Sequence, residues 1–223
     1  MMPTEDKVTP GLRAIRRKSA SRQRLLAAAR RLFTERGYHA TRPQDITRAA
    51  DVGHGTFYLH FADKRACFLA FAEAARAEIE GFVRERLADV EGIEPQFRAL
   101  LEALMDYAAR HPGVINAAMT DVSVISSAAP EGEWLVDRWA AQWAAQIRAG
   151  AQAGAIRADY DAEVVGHAIV GLLRAAARFG VRRRGKRRVV IDTVAAFLVR
   201  ALVPEQAGEA ARHHKFLFGR AQA

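Results

Sequence analysis

Cysteine is almost absent from this chain of 223 residues, because Cys67 is the only one. An intramolecular disulfide is therefore excluded, and we expect Cys67 to be a small core residue rather than a nucleophile. A signal-peptide-length apolar stretch is missing near the N-terminus, and the most apolar later run, residues 164–173, is too short to cross a bilayer. These absences favour a cytoplasmic protein without membrane contact.

Catalytic motifs are missing as well. The sequence contains no G-x-S-x-G, no P-loop, no C-x-x-C and no H-E-x-x-H. His54 and His60 are six residues apart, so they do not share a helical face as metal ligands four residues apart would. We therefore expect neither an enzyme nor a metal site, and no cofactor.

Positive charge is concentrated at one end of the chain. Residues 1–65 contain fourteen Lys and Arg against six Asp and Glu, a net charge of +8. Residues 89–180 contain seven against twelve, a net charge of −5. A basic N-terminal part on a mildly acidic remainder is typical of phosphate binding, because solubility alone would not require the asymmetry. The alternative is a merely solvated basic face.

Residues 41–64 predict two short helices joined by a tight turn. Thr41 and Gln44 fit a T-x-x-Q capping box at the start of the first helix. The turn falls at residues 51–53, since Asp tolerates the left-handed conformation and Gly53 can cap the second helix.

The second of these helices, residues 54–60, has an unusual surface. Phe57 and Phe61 are four residues apart and share one face. Leu59 points the opposite way, among side chains that donate or accept hydrogen bonds. An apolar side chain in that position suits the methyl group of thymine at a base-pair edge, so we predict that this helix contacts DNA in the major groove.

The order of these features resembles the DNA-binding domain of the TetR family of transcriptional regulators. The resemblance covers about residues 19–72 and rests on a helix, a short helix, a turn, the block G-T-F-Y-x-H-F at residues 55–61 and the Asp-Lys pair that opens the next helix. It implies that double-stranded DNA, in a palindromic operator, is a partner. The residues expected at the DNA are Arg42, Gln44, His54, Gly55, Thr56, Tyr58, Leu59, His60 and Lys64.

Residues 1–18 predict a flexible basic arm. Pro3, Pro10 and Gly11 interrupt this segment, and four basic residues precede the first helix. Such an arm can lie along the DNA backbone or enter the minor groove. A disordered tail with incidental charge is an equal alternative.

Beyond residue 65 the apolar spacing stays helical and no alternating strand pattern occurs. We expect helices near residues 64–87, 95–110, 132–153, 161–181 and 188–203. The pattern predicts an all-α fold with a three-helix N-terminal domain over 19–65, a larger helical bundle over 66–203 and a tail over 204–223. The resemblance implies that the first is a helix-turn-helix DNA-binding domain and that the second binds an effector and dimerises.

The last two predicted helices suit self-association. Packed against a symmetry mate, their apolar stripes would make an isologous four-helix interface. The alternative is that the stripes fill the core of the monomer. The resemblance implies a homodimer through these helices, so that two DNA-binding domains contact successive major grooves. The expected interface residues are Val165, Ile169, Leu173, Ile191, Val194, Leu198 and Leu202.

The resemblance also implies a cavity for a small-molecule effector in the larger domain. Aromatic and Met side chains can wall an apolar cavity that holds a few polar contacts. The simpler explanation for each of them is ordinary core packing. The expected lining residues are Phe97, Met105, Tyr107, Asn116, Met119, Asp121, Trp139, Trp143 and His167.

The run RRRGKRR at residues 182–188 predicts a solvated loop, since like charges repel, and contact with DNA phosphates is the alternative. Together with these residues, the resemblance implies a ligand-responsive, sequence-specific transcriptional repressor that a small, largely apolar effector releases from its operator. An architectural DNA-binding protein without an effector is the alternative, although it would not need so large a second domain.

Overall fold

A computed structural model describes residues 10–119 and 135–205 of the chain. Within these ranges it contains nine α-helices and no β-strand, so the all-α prediction is confirmed. In chain order the helices are α1 (Pro10–Arg36), α2 (Pro43–Ala49), α3 (His54–Tyr58), α4 (Lys64–Leu87), α5 (Ile93–Arg110), α6 (Val114–Ala118), α7 (Leu135–Gln152), α8 (Ala162–Arg182) and α9 (Arg187–Leu202). A 3-10 turn at Arg184–Lys186 joins the last two helices.

Helix α4 contains the boundary between two compact units, which lies between Ala72 and Glu73. The sequence suggested a boundary at residue 65, near the start of this helix. The first turns of α4 belong to the N-terminal unit because Phe68 and Phe71 pack on α1. Their ring centroids lie 5.1 and 5.8 Å from that of Phe33.

Helix α1 begins at Pro10, so residues 10–18 are helical and do not form the flexible arm that we expected. Proline is compatible with the first turn of a helix, where its missing N–H has no intrahelical partner. Residues 1–9 lie outside the described ranges. Basic residues up to Lys18 are therefore carried on the same helix whose later turns bury Leu25 and Ala29 in the core.

The start of α2 differs from the predicted capping box of Thr41 and Gln44. Arg42 is the N-cap, and its backbone N–H donates to Asp45 Oδ2 at 3.1 Å. Thr41 is fully buried, and its hydroxyl donates to the Gly37 carbonyl at 2.8 Å. The Thr41 hydroxyl thus satisfies a carbonyl just after α1 instead of opening α2, and Gln44 stays exposed.

The turn between α2 and α3 has the conformation that its sequence predicts. Asp51 has a φ of 51°, in the left-handed region that Asp tolerates better than most residues. Gly53 is the N-cap of α3 in an extended conformation. The guanidinium of Arg24 donates to the Asp51 carbonyl at 3.4 Å, which links the turn to α1.

The core of the C-terminal unit forms where α8 packs against α5 and α7, and where α9 packs against α5. Phe97 and Leu101 of α5 and Leu198 of α9 are buried there. The contact between α7 and α8 requires glycine at position 166, because a Cβ atom there would collide with the carbonyl oxygen of Ala140.

Helix α8 is long and apolar enough, by length and composition alone, to cross a membrane. This corrects the expectation drawn from residues 164–173, because the helix extends well beyond that run. In the C-terminal unit, however, α8 packs against α5, α7 and α9. Arg174, in its middle, donates to the Met119 carbonyl at 3.0 Å. These contacts are those of a core helix in a helical bundle.

The basic run 182–188 forms the end of α8, the 3-10 turn and the start of α9, so only its middle connects the two helices as a loop would. Most of its described residues are exposed, as predicted for a solvated segment. Arg187 is anchored to α5, because its guanidinium donates to Asp106 Oδ1 at 2.6 Å and to the Glu102 carbonyl at 3.2 Å. Most of the predicted tail, residues 206–223, lies outside the described ranges.

Cys67 is fully buried in the N-terminal unit, in agreement with the prediction of a small core residue. Burial raises the pKa of its thiol to about 12. The thiolate, which is the reactive form of cysteine, is therefore scarce near neutral pH.

Candidate nucleic-acid interface and ligand cavity

Helix α3 buries one face and exposes the other. Phe57 and Phe61 are buried, with ring centroids 5.6 Å apart. Tyr58 is 52% exposed and Leu59 is 73% exposed. The helix ends at Tyr58, earlier than predicted, but the Phe61 N–H still donates to the Phe57 carbonyl at 2.9 Å. The turn therefore continues far enough to hold Leu59 on the outer surface, where the sequence placed it.

Most of the other residues expected at the DNA are accessible on α2 and α3. Arg42, Gln44, His54 and Gly55 are exposed, and Thr56 is half-buried. The His54 ring lies edge-on to the Tyr58 ring, with centroids 5.4 Å apart. These side chains share the N-terminal unit with Leu59 and offer both hydrogen-bonding and apolar contacts.

His60 is tied to α1 and is not a free surface group. Its Nε2 lies 2.7 Å from the Ser21 hydroxyl. Burial lowers the pKa of His60, and the positive charges of Lys18 and Arg22 lower it further. The neutral imidazole thus connects α1 to the residues after α3.

Lys64 is directed into the N-terminal unit rather than into solvent. Its Nζ donates to the Tyr38 carbonyl at 3.0 Å and lies 4.1 Å from the centroid of the Tyr38 ring. Burial lowers the pKa of Lys64, and the charge of Arg42 lowers it further. In this conformation Lys64 fixes the start of α4.

Helix α1 contributes cations that the predicted DNA surface did not include. Lys18 and Arg22 are exposed, four residues apart, and their charges act on His60 of the turn after α3. Arg22 also lies 5.4 Å from the centroid of the Phe61 ring. The signal in the sequence was the spacing of four, which we attributed in part to an arm instead of to one helix.

The C-terminal unit contains an apolar cavity of about 100 Å³. Helices α4 to α8 all contribute to its lining. Of the residues predicted to contact an effector, Met119, Trp139 and Trp143 line it. Lining residues that were not predicted include Ile79, Glu80, Leu100, Leu104, Val170 and Arg174.

Two contacts hold the tryptophans in place. The Trp139 indole N–H donates to Glu80 Oε1 at 3.1 Å. The Trp143 ring stacks on the Phe97 ring with centroids 6.0 Å apart and an angle of 7° between the planes. Phe97 is itself fully buried and supports the cavity wall from behind.

Four other predicted lining residues are not part of this cavity. Met105 and Tyr107 are buried, and Tyr107 packs on Phe82 with centroids 5.7 Å apart. Asn116 is exposed beside a second, larger opening. His167 is exposed and lies 3.2 Å from Asp137 Oδ1. The physical reason is that helical spacing shows which residues share a face but not which faces enclose a space. Asp121 lies outside the described ranges.

The larger opening is a basic cleft of about 840 Å³ in the same unit. Arg174, Arg178, Arg182 and Arg187 line it together with His111. No acidic side chain lines it within the described residues. Neither the cleft nor its charge was anticipated, because its arginines come from two helices and the intervening run was interpreted as a loop.

Most of the predicted dimer interface is buried inside the chain. Val165 and Val194 are half-buried. The other five are core residues of this chain, so the interface prediction is wrong for them: Ile169, Leu173, Ile191, Leu198 and Leu202. These five residues lie on the inner faces of α8 and α9, and those faces pack against other helices of the C-terminal unit.

A different set of apolar residues remains on the surface of the same two helices. Phe179 of α8 is 52% exposed and Phe197 of α9 is 60% exposed. We call the exposed apolar residues of these helices the α8–α9 outer stripes. They comprise Val164, Ala168, Gly171, Ala175 and Phe179 on α8 and Val189 and Phe197 on α9.

The N-terminal unit matches a known protein family. The model described as bacterial regulatory proteins, tetR family, matches residues 25–71, from the middle of α1 into α4. Residues 25–71 therefore form a TetR-family N-terminal domain.

Curated relatives that match this chain include an activator and a repressor. The HTH-type transcriptional activator FasR of Mycolicibacterium smegmatis is 33% identical over 86 residues, which are 39% of this chain and 39% of FasR. The HTH-type transcriptional repressor DhaR of Mycobacterium sp. (strain GP1) is 33% identical over 88 residues, 37% of this chain and 44% of DhaR. The chain thus matches about two fifths of the length of these relatives.

The fold also matches solved TetR-family structures over most of the chain. A TetR-family transcriptional regulator from Pectobacterium atrosepticum gives a TM-score of 0.59 at 23% identity, covering 85% of this chain and 97% of that one. At this level of identity the likeness shows a shared fold.

Proposed function

We propose that this TetR-family protein is a homodimeric, sequence-specific repressor of transcription that releases its operator when a small, largely apolar ligand binds. The observation that supports it best is the outer surface of α3, where Leu59 is exposed directly opposite the buried Phe57. An exposed Leu has no stabilising role in water, but at a base-pair edge it can contact the methyl group of thymine.

The roles of the surrounding residues follow from their contacts. Bases or phosphates beside Leu59 are contacted by Tyr58, His54 and Thr56. Gln44 is accessible because the cap of α2 uses the side chain of Asp45 and not that of Gln44. Arg42 contacts phosphates. Lys64 and His60 position the helix through Tyr38 and Ser21, which changes their predicted role from direct contact to support.

Substitution of Tyr58 tests the DNA-contacting surface. An operator is first selected from a random pool of duplex DNA with the wild-type protein, and its affinity is measured by fluorescence anisotropy at several salt concentrations. Tyr58→Ala should weaken binding by about tenfold or more, since one specific contact contributes about 1–3 kcal/mol. Its salt dependence should not change, because tyrosine carries no charge.

Tyr160→Ala is the matched control, because Tyr160 is 41% exposed and lies in the other unit. This variant should bind the operator like the wild type. If Tyr58→Ala also binds like the wild type, α3 does not contact the DNA. Arg42→Gln should weaken binding to all sequences and lower the salt slope by about one.

Dimerisation is proposed to use the α8–α9 outer stripes. Large apolar side chains in contiguous exposed patches mark interaction surfaces more often than free surface. Phe197→Glu and Phe179→Glu should therefore convert a dimer into a monomer in size-exclusion chromatography with light scattering, because an isologous interface would contain each new charge twice. Tyr160→Glu should remain a dimer. A wild-type monomer, or dimeric Phe→Glu variants, would contradict this interface.

The ligand response is proposed to act through α4. This helix supplies Phe68 and Phe71 to the core of the N-terminal unit and Ile79, Glu80 and Val83 to the cavity lining. A ligand that prefers one arrangement of α4 shifts the population toward that arrangement. A ligand that raises the thermal midpoint of the protein should accordingly also lower its operator affinity. A ligand that stabilises the protein and leaves its operator affinity unchanged would contradict the ligand response and indicate a constitutive DNA-binding protein.

A further inference from the structure

The apolar cavity and the basic cleft of the C-terminal unit share a wall. Ile115, Arg174 and Ala177 line both of them. One side of this wall is apolar and faces two tryptophans, while the other side faces a group of arginines. A single molecule bound at the wall therefore meets two opposite kinds of surface.

Arg174 is a charge of the apolar cavity that no carboxylate in the described part of the chain compensates. Among the described residues, Glu80 is the only acidic residue of the lining, and it is already paired, since Arg76 donates to it at 2.5 Å and the Trp139 indole at 3.1 Å. Arg174 donates one N–H to the Met119 carbonyl. Among residues 10–119 and 135–205 it has no carboxylate partner. A guanidinium has five N–H donors, so most of its hydrogen-bonding capacity is unused.

The basic cleft adds further positive charge at the shared wall. Arg187 is paired with Asp106, so its charge is balanced, and the Nε2 atom of His111 lies 3.6 Å from Glu78 Oε1. Arg178 and Arg182 are exposed and are paired with no acidic side chain in the described part of the chain. The positive potential at the wall is therefore the sum of Arg174, Arg178 and Arg182, and it attracts an anion.

We infer that the ligand of this site is a small apolar carboxylate, with its hydrocarbon part in the cavity and its carboxylate on Arg174. This inference rests on the proposed function and names the chemical class of its effector. Arginine binds carboxylates through two parallel, charge-assisted hydrogen bonds, whereas a neutral primary amide has only one acceptor oxygen. A dry cavity of roughly 150 Å³ accepts benzene. The hydrocarbon part that fits about 100 Å³ is smaller than a benzene ring and is therefore a short alkyl chain.

Matched acids and amides test the charge requirement directly. Isothermal titration of the full chain would use hexanoate and butanoate, each beside its primary amide, which has the same shape and no charge. Each acid should bind at least about tenfold more tightly than its amide, because a hydrogen bond to a charged group contributes roughly 1.5–3 kcal/mol and every 1.4 kcal/mol is tenfold.

Substitutions test whether Arg174 causes the preference for acids over amides. Arg174→Gln should bind acid and amide equally, whereas Arg174→Lys should retain part of the preference. Arg148→Gln is the control, because Arg148 is an exposed residue of α7 paired with Glu163 and lines neither space. Should loss of the Met119 contact unfold Arg174→Gln, the exposed Arg178→Gln should fold and show a smaller loss of preference.

Three results would overturn the inference: amides that bind as well as acids, an Arg174→Gln variant that keeps the preference, or no binding by any of the four compounds. Operator binding is measured separately by anisotropy. If the wild-type protein binds its operator but shows no preference for acids over amides, this inference is wrong and the proposed repressor function stands. If the wild-type protein prefers acids but binds no operator, the carboxylate site is supported and the proposed repressor function is wrong.

Discussion

The two units of this chain use large apolar side chains in opposite ways. In the N-terminal unit Leu59 and Tyr58 extend into solvent beside the buried Phe57. In the C-terminal unit Trp139 and Trp143 point inward and wall a cavity to which five helices contribute. The comparison teaches that a surface site can be recognised from one helix, whereas an enclosed site depends on residues far apart in the sequence.

The largest expected effect separates the two faces of α3. Phe57→Ala removes a fully buried ring and should lower the free energy of unfolding by about 3–5 kcal/mol, measured by urea denaturation with far-ultraviolet circular dichroism. Tyr58→Ala, one residue later on the exposed face, should change it by less than about 0.5 kcal/mol. Equal destabilisation by both variants would show that the two faces are assigned wrongly.

A smaller effect is expected where α7 and α8 meet. Gly166→Ala places a methyl group against the Ala140 carbonyl and should destabilise the C-terminal unit by about 1–3 kcal/mol. The measurement is thermal unfolding followed by tryptophan fluorescence, since Trp139 and Trp143 report on this unit.

Gly81→Ala is the control for this prediction. Gly81 is inside α4 of the same unit, and a Cβ atom there meets nothing within 4 Å. This variant should gain roughly 0.5–1 kcal/mol from the better helix propensity of alanine. A destabilised Gly81→Ala would mean that the loss in Gly166→Ala is not specific to the α7–α8 contact.

The smallest effect concerns the pH dependence of the C-terminal unit. The Glu163 carbonyl, which accepts from His167 Nδ1, and then the Asp137 carboxylate raise the pKa of His167 above 6.5. The protonated form is favoured by folding, so its contribution is complete below pH 6.5 and is lost as the pH rises through the folded pKa. Because the pair is exposed, the contribution should stay below about 1 kcal/mol.

The measurement compares unfolding midpoints of the wild type and His167→Gln from about pH 5.5 to about pH 8.5, around the ordinary pKa of histidine. The advantage of the wild type should shrink as the pH rises. Asp137→Asn should show a weaker dependence of the same sign. An advantage that grows with pH would contradict the assigned direction.

What could be predicted from the sequence follows the same division. The helix order was predictable because periodicity and capping are local, and α4 has its expected bounds, Lys64–Leu87. The outer face of α3 was predictable because four residues separate Phe57 from Phe61. These signals lie within single helices.

Other features needed contacts that no local pattern contains. Lys64 was expected at the DNA, but it donates to Tyr38, which lies 26 positions earlier. Leu173 was expected at a dimer interface, but it lines the cavity. An apolar stripe shows that a helix has an inner side, whereas the partner of that side is set by the packing of all helices together.

Cys67 gives the N-terminal unit a built-in kinetic probe. It is the sole thiol of the chain, is fully buried and has a pKa of about 12. A maleimide or disulfide reagent can therefore label the protein only when this unit opens. The labelling rate of the unmodified chain reports that opening, and its slowing on operator DNA would measure how much the bound duplex stabilises the closed unit.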